Sequence, residues 1–255
     1  MLHYEMAGSG GDVVVLIHGF PLTSKMWRQQ MPAIVEAGWR AVAVDLPGFG
    51  ESPGTIASVE AAADAVVEVI DALGVERVVL GGFSMGGYVA FAFVRQHARR
   101  LRGLMLIDTR AEPDTDEGRQ GRYATAQRAR SEGAQPVIDG MLPRLVADST
   151  LNGRPEVVQE LLNVAAGATA EGIAAALEAM AARPSSVETL AEIDVPTLVI
   201  AGQDDLLMPV DDARRMAERI RNARLVVVPE AGHTAPIEQP VAVNEAIVGF
   251  LRSGL

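Results

Sequence analysis

The chain has 255 residues, of which 49% are hydrophobic and 22% are charged, as in an ordinary globular protein. This length can bury the core of one large α/β domain, with or without a modest insertion. A formal net charge of −11 and the lack of a compact basic patch disfavour binding to nucleic acid or to anionic membranes. Without cysteine, the chain has no disulfide, thiolate metal site or cysteine nucleophile.

Apolar runs in the sequence stay shorter than the ~20 residues that a transmembrane helix needs. The first residues also lack the charged head and long apolar stretch of a secretory signal. We therefore expect a cytoplasmic protein.

Short β-branched runs alternate with longer segments of helical period, the pattern of parallel βαβ units. The predicted strands are residues 13–17, 41–44, 78–82, 103–107, 197–201 and 225–228, with a possible antiparallel edge strand at 1–6. The predicted helices between them are residues 25–37, 58–73, 85–96, 210–221 and 241–251. Several strands are apolar throughout, which indicates a sheet covered by helices on both faces.

The strand pattern is interrupted between about residues 110 and 190, where helical spacing appears at 116–131, 137–146, 157–166 and 170–181. We therefore predict a core domain of residues 1–110 and 190–255, and a helical cap, or lid, of residues 111–189. Extra packing alone is the alternative, but long insertions in compact domains are often functional. A cap would cover the carboxyl edge of the sheet, where open α/β sheets bind ligands.

The strongest local signal is Gly82-Phe83-Ser84-Met85-Gly86, a G-x-S-x-G sequence that directly follows one predicted strand and precedes a predicted helix. A serine on such a sharp turn projects its hydroxyl above the sheet, and the flanking glycines prevent collisions where the chain doubles back. A turn serine that only caps the helix is the alternative. We predict that Ser84 is a nucleophile.

A serine hydroxyl needs a base, and the base needs an orienting acid. Of the four histidines, His233 follows the last predicted strand and so reaches the same sheet edge as Ser84. Asp204 and Asp205 end the preceding strand, and the residues alone leave open which of them is the acid; we select Asp205. Asp108 also ends a strand and is a further candidate, although capping the loop into the insertion explains it as well.

The segment His18-Gly19-Phe20-Pro21 follows the first parallel strand. The backbone N–H groups of Phe20 and Met85 are the predicted donors of an oxyanion hole, in which one donor contributes ~3 kcal/mol. His18 is expected to brace this loop. Candidate pocket residues, each of which could equally be core, are Phe20, Trp27, Met141, Leu142, Leu145 and Met180.

The segments HGFP (18–21), DLPGFGES (45–52), GFSMG (82–86), GQDDLLMP (202–209) and AGH (231–233) resemble the α/β-hydrolase superfamily over nearly the whole chain. Within it, the chain resembles small bacterial carboxylesterases, with enol-lactonases and cofactor-free perhydrolases as relatives. The resemblance implies an α/β-hydrolase fold, Asp205 as the acid and a structural role for residues 45–52. It also implies that the cap lines the substrate pocket.

These features predict a carboxylesterase that hydrolyses small, short- to medium-chain esters through Ser84, His233 and Asp205, without a metal or an organic cofactor. The expected partner is a small-molecule ester, and the chain could be a monomer or a homodimer. Lactonase, perhydrolase and carbon–carbon hydrolase activities use the same machinery and stay open. A receptor-like protein that binds a small molecule without turnover is the non-enzyme alternative.

Overall fold

The computed structural model describes residues 1–253, which form one seven-stranded sheet with helices on its faces. The strands are β1 (Tyr4–Ala7), β2 (Val13–Ile17), β3 (Arg40–Val44), β4 (Val78–Phe83), β5 (Leu101–Ile107), β6 (Thr197–Gly202) and β7 (Ala223–Val228). Residues 254 and 255, which end the predicted core segment 190–255, lie outside the described residues.

The strand order is β1-β3-β2-β4-β5-β6-β7, and every neighbouring pair is parallel except β1 with β3. The predicted edge strand is thus antiparallel, with Tyr4 opposite Val44. β2, β4 and β6 are buried at every position, as expected for strands that are covered on both faces. The carboxyl ends of β4, β5 and β6 therefore meet at one edge of the sheet.

The described residues form eleven α-helices, whose bounds are α1 (Gln30–Glu36), α2 (Val59–Ala72), α3 (Met85–His97), α4 (Asp116–Glu132), α5 (Gln135–Leu145), α6 (Asp148–Gly153), α7 (Pro155–Ala165), α8 (Ala170–Ala182), α9 (Val210–Arg219), α10 (Ala235–Glu238) and α11 (Pro240–Leu251). Short 3₁₀ helices occupy Ser24–Trp27, Ala98–Arg100 and Glu188–Glu192.

The prediction of a single helix at residues 25–37 is wrong. The structure has a 3₁₀ helix at Ser24–Trp27 and then α1, which begins at Gln30. Pro32 explains the break, because proline has no N–H and its ring clashes with the carbonyl four residues earlier, at Arg28. Proline fits best in the first turn of a helix, where α1 places it.

Helices α4 to α8 are inserted between β5 and β6, where the sequence predicted a helical segment. α4 packs against α8, and Arg130 of α4 pairs with Glu171 (3.0 Å) and Glu178 (2.5 Å) of α8. The insertion is tied to the rest of the chain by hydrogen bonds such as that from Thr23 Oγ1 to the Val164 carbonyl (3.1 Å). The short helix α6 was not predicted. No helix within residues 1–253 is long and apolar enough to cross a lipid bilayer.

Candidate active site

Ser84 lies on a sharp turn between β4 and α3. Its backbone is in a strained left-handed conformation (φ 51°, ψ −112°), and its N–H donates to the Ile107 carbonyl of the neighbouring strand (2.9 Å). A Cβ on Gly82 would come within 2.3 Å of the Gly86 carbonyl oxygen, and a Cβ on Gly86 within 2.4 Å of the Ile17 carbonyl oxygen. Both glycines are therefore required for the turn to close.

His233 joins Ser84 to Asp205 through a continuous chain of hydrogen bonds. Its Nε2 lies 2.8 Å from Ser84 Oγ, and its Nδ1 lies 2.7 Å from Asp205 Oδ2. The other carboxylate oxygen, Oδ1, accepts from the backbone N–H groups of Leu207 (2.7 Å) and Met208 (2.9 Å), which fixes the orientation of the carboxylate. Because a carboxylate accepts, Nδ1 carries the imidazole proton and Nε2 is left to accept the serine hydroxyl.

The other two candidate acids lie elsewhere. Asp204 is exposed, whereas Asp205 is buried against His233. Asp108 is buried at the end of β5, and its Oδ1 accepts from the Gly202 N–H (2.7 Å), so it joins β5 to β6. Burial, reinforced by the charge of Asp205, raises the pKa of the Asp108 carboxyl well above its usual range.

His18 braces the loop after β2 and is fully buried. Its Nδ1 donates to the Gly19 carbonyl (3.0 Å), and its Nε2 accepts from the Leu46 N–H (2.9 Å). Burial lowers the pKa of His18 to about 4, so the ring is neutral near pH 7. The two ring nitrogens thus join the loop after β2 to the segment after β3, which agrees with the bracing role that the sequence predicted for His18.

The predicted oxyanion donors lie on the two segments that flank Ser84. Phe20 follows Gly19, where an added Cβ would come within 2.9 Å of Ser84 Cβ, and Met85 is the first residue of α3. The backbone N–H groups of Phe20 and Met85 donate no hydrogen bond to any acceptor among residues 1–253. These two groups are therefore free to receive a developing negative charge beside Ser84.

A cavity of about 440 Å³ opens beside Ser84 and His233. It is lined by core residues on one side and by α4, α5 and α8 on the other: Phe20, Ser84, Tyr88, Arg110, Asp114, Gly118, Gly121, Arg122, Thr125, Met141, Arg144, Leu177, Met180, Leu207, Met208 and His233. A more open depression of about 510 Å³ lies between β1 and α1, and its lining residues include no serine, threonine or histidine. The chemistry therefore belongs to the first cavity.

Of the predicted pocket residues, Phe20, Met141 and Met180 line this cavity. The structure corrects the other three, because Trp27, Leu142 and Leu145 lie outside the lining. Trp27 is fully buried and packs edge-on against Phe83, Leu145 is buried in the core, and Leu142 packs against the core. For Leu142 and Leu145, helical periodicity predicted an apolar face of α5 but not which side of the helix faces the cavity.

Sequence reasoning missed the charged wall of the cavity. Asp114, whose side chain is 3% exposed, accepts hydrogen bonds from Arg110 (3.0 Å), Arg122 (2.5 Å) and Arg183 (3.0 Å). Burial alone raises the pKa of Asp114, but the hydrogen bonds from Arg183 and Arg122 outweigh it and hold the pKa well below its usual range. The guanidinium of Arg183 also stacks on the ring of Tyr88, 3.9 Å from its centroid. No local motif signals this cluster, because Arg183 is 69 residues from Asp114 and the nearer Arg110 and Arg122 have no recognisable spacing.

The arrangement can move a proton from the Ser84 hydroxyl to His233 and can balance the resulting imidazolium with the Asp205 carboxylate. Within residues 1–253, no group of three or more His, Cys, Asp or Glu side chains is arranged to hold a metal ion.

Residues 12–240 match the model of the alpha/beta hydrolase fold family, and the chain therefore belongs to that family. It is similar to the solved structure of a thermophilic esterase from Thermogutta terrifontis with malate bound (TM-score 0.95, 43% identity, 98% of this chain and 93% of that chain). It is also similar to the enol-lactonase from Burkholderia xenovorans LB400 (TM-score 0.90, 29% identity, 98% and 96%).

A curated relative is the 2-hydroxy-6-oxononadienedioate/2-hydroxy-6-oxononatrienedioate hydrolase of Burkholderia vietnamiensis, which is 29% identical over 98% of this chain and 91% of that protein. Together with the family match, these similarities identify the protein as a hydrolase of the α/β family.

Proposed function

We propose that this hydrolase is a serine carboxylesterase acting on small esters through an acyl-enzyme, with Ser84 as nucleophile, His233 as general base and acid, and Asp205 as the orienting carboxylate. The observation that carries the proposal is the pair of short contacts of His233, 2.8 Å to Ser84 Oγ and 2.7 Å to Asp205 Oδ2. The similarity to the Thermogutta terrifontis esterase, at 43% identity, supports it.

In the first half-reaction, His233 Nε2 takes the Ser84 proton as Oγ attacks the ester carbonyl carbon. The carbonyl oxygen becomes an oxyanion, which accepts from the backbone N–H groups of Phe20 and Met85. When the intermediate collapses, the carbon–oxygen bond to the alcohol breaks and His233 returns the proton to the leaving alkoxide. Asp205 stabilises the imidazolium that exists between these two transfers.

In the second half-reaction, His233 takes a proton from water, which attacks the acyl-enzyme carbonyl. The second tetrahedral intermediate collapses with proton return to Ser84 Oγ, which releases the carboxylic acid and restores the enzyme. Each ester therefore consumes one water, and every proton passes through His233. This sequence of steps requires neither a redox change nor an added co-reactant.

The substrate is proposed to be a short- to medium-chain ester, covered by a cap of residues 111–189. The cavity of about 440 Å³ is near the lower end of the ~300–1,000 Å³ of small-molecule sites. Its apolar part includes Met141, Leu177 and Met180 from the inserted helices α5 and α8. A small alcohol and a short acyl chain fit such a volume better than a long lipid does.

Lactone hydrolysis is a second candidate, which the 29% identity to an enol-lactonase favours. A lactone is a cyclic ester, so Ser84 would open the ring and His233 would protonate a leaving oxygen that stays attached to the acyl group. Comparing kcat/KM for a five-membered enol-lactone with that for its open-chain ester distinguishes the two substrate classes.

The test is hydrolysis of p-nitrophenyl butyrate by Ser84→Ala, with Ser131→Ala as the matched control because Ser131 is exposed on α4. We expect kcat to fall by about 10⁴-fold or more in Ser84→Ala and to stay unchanged in Ser131→Ala. Near-normal hydrolysis by Ser84→Ala would overturn the proposal. Multiple turnovers per wild-type chain would exclude the receptor-like alternative.

A further inference from the structure

We propose that the preferred substrate carries a carboxylate group besides its ester, and that Arg110, Arg122 and Arg144 bind this carboxylate across the cavity from Ser84. These three arginines are called the arginine wall below. The inference rests on the proposed esterase function, which it narrows to half-esters and related anionic esters. It is carried by a shortage of hydrogen-bond acceptors in the wall and by its local charge.

The acceptor shortage follows from the contacts of Asp114, which is the sole carboxylate among the described side chains that line the cavity. A carboxylate offers about four acceptor positions. Asp114 already accepts from Arg110 of the wall (3.0 Å), from Arg122 of the wall on both carboxylate oxygens (2.5 and 3.4 Å), and from the buried Arg183 (3.0 Å). Its acceptor capacity is therefore used up.

Donors of the wall remain unpaired after these contacts. Arg122 Nη1 points to the sulfur of Met180 (3.4 Å), a weak acceptor. Arg144 is exposed at the cavity and forms no ion pair or hydrogen bond with the described residues. Arg110 Nε and the Tyr88 hydroxyl are buried without a hydrogen-bond partner among residues 1–253. A planar carboxylate matches such guanidinium donors in geometry and in charge.

The charge of the wall contrasts with that of the whole protein. The chain has a formal net charge of −11, yet three arginines and one aspartate line the cavity. A purely structural role accounts for Arg183, whose side chain is 4% exposed, pairs with Asp114 and donates to the carbonyls of Met180 and Glu112. It does not account for Arg144, which pairs with nothing described and still lines the cavity. A cationic cavity in an acidic protein selects an anionic ligand, because the low dielectric of the pocket strengthens the attraction.

The experiment compares isosteric pairs of alkyl esters in a pH-stat. The acyl-side pairs are the monoethyl esters of succinic, glutaric and adipic acids, each against the corresponding ester with a primary amide in place of the carboxylate. The alcohol-side pair is 4-acetoxybutanoate against 4-acetoxybutanamide. The readout is the ratio of kcat/KM for the anion to kcat/KM for the amide. The three acyl lengths place the carboxylate at different distances from the ester. The acyl-side and alcohol-side pairs show whether the arginine wall binds a carboxylate on the acyl part or on the alcohol part of the substrate.

We expect a ratio of at least about tenfold for one or more pairs, as charge-assisted hydrogen bonds provide. This ratio should fall severalfold or more in Arg110→Gln and in Arg144→Gln. Arg144→Gln removes no hydrogen bond or ion pair among residues 1–253, and an unchanged melting temperature of this variant separates a loss of ligand binding from a loss of stability. Arg128→Gln is the control, because Arg128 is exposed on the same helix as Arg122 and pairs with Glu132 away from the cavity, and it should keep the wild-type ratio.

Ratios near or below one for every pair, with the amides hydrolysed, would overturn the inference and leave the esterase function intact. A high ratio that neither Arg110→Gln nor Arg144→Gln changes would overturn it too. No hydrolysis of any ester by the wild-type protein would contradict the proposed function itself and, with it, the substrate class that rests on it.

Discussion

The carboxylate of Glu238 accepts a hydrogen bond from the backbone N–H of Gly232, the residue immediately before His233 (2.9 Å). Its other oxygen accepts from the N–H of Ala147, in the inserted helical segment (2.8 Å). Glu238 is fully buried. One buried side chain thus joins the loop that carries the histidine to the insertion that lines the cavity.

Glu238→Gln should reduce both stability and activity. A glutamine keeps one acceptor oxygen but turns an NH₂ group toward the second backbone N–H, which leaves a buried donor unpaired at a cost of ~1–3 kcal/mol. We expect a lower free energy of unfolding in urea and a lower kcat on p-nitrophenyl butyrate. Glu245→Gln, on the exposed face of α11, is the control. An unchanged unfolding midpoint together with full kcat in Glu238→Gln would contradict this role.

Asp205→Asn should abolish most activity while leaving the fold intact. The asparagine oxygen can still accept from Leu207 and Met208, but its NH₂ group donates to His233 Nδ1 and moves the imidazole proton to Nε2. Nε2 then cannot accept the serine proton, and kcat should fall by about 10⁴-fold. Steady-state kinetics measures the loss of kcat, and a melting curve shows whether the fold is intact. Asp204→Asn is the control, because Asp204 is exposed. A kcat within tenfold of wild type would exclude Asp205 as the orienting acid.

His18 should make the protein less stable in acid. Its pKa is about 4 in the fold and 6.5 in the unfolded chain, so between these pH values the unfolded chain binds a proton that the folded chain does not. Stability should therefore fall as the pH drops from 6.5 to 4, by on the order of 3 kcal/mol from this group. His18→Gln, which can still donate and accept, should weaken the pH dependence in urea titrations. The same dependence in both proteins would contradict this account.

Asp108 should have the opposite effect. Its pKa is raised in the fold by burial and by the charge of Asp205, so the folded chain holds a proton that the unfolded chain loses. The stability that this group contributes is full below its unfolded pKa and is lost as the pH rises through its folded pKa. Asparagine cannot lose a proton, so it avoids this loss of stability. The difference between the Tm of Asp108→Asn and the Tm of the wild type, measured by calorimetry, should therefore shift in favour of the variant as the pH rises from 4 to 8. A constant difference would show that Asp108 does not titrate differently in the two states.

Much of the sheet could be predicted because its strands are continuous apolar runs. β2 coincides with the prediction, and β4 and β6 extend it by one residue each. The sequence also predicted that Ser84, Asp205 and His233 lie at one edge of the sheet, because each follows a predicted parallel strand. Local sequence specifies such features directly.

The missed features depend on tertiary contacts. Glu238 looks like any helical glutamate until the fold buries it against two loops. The arginine wall assembles from the loop after β5 and from α4 and α5, so no spacing in the sequence reveals it. Trp27 was assigned to the pocket on its apolar character alone, which cannot distinguish a cavity wall from the core.

The nucleophile is tested most directly by covalent labelling. Diisopropyl fluorophosphate reacts with an activated serine, whose Oγ displaces fluoride from phosphorus. We expect mass spectrometry to find one label per chain on Ser84, in the tryptic peptide of residues 78–95, with ester hydrolysis lost in proportion to labelling. Ser84→Ala should take up no label. A label on another residue, or full ester hydrolysis by protein labelled at Ser84, would contradict the account.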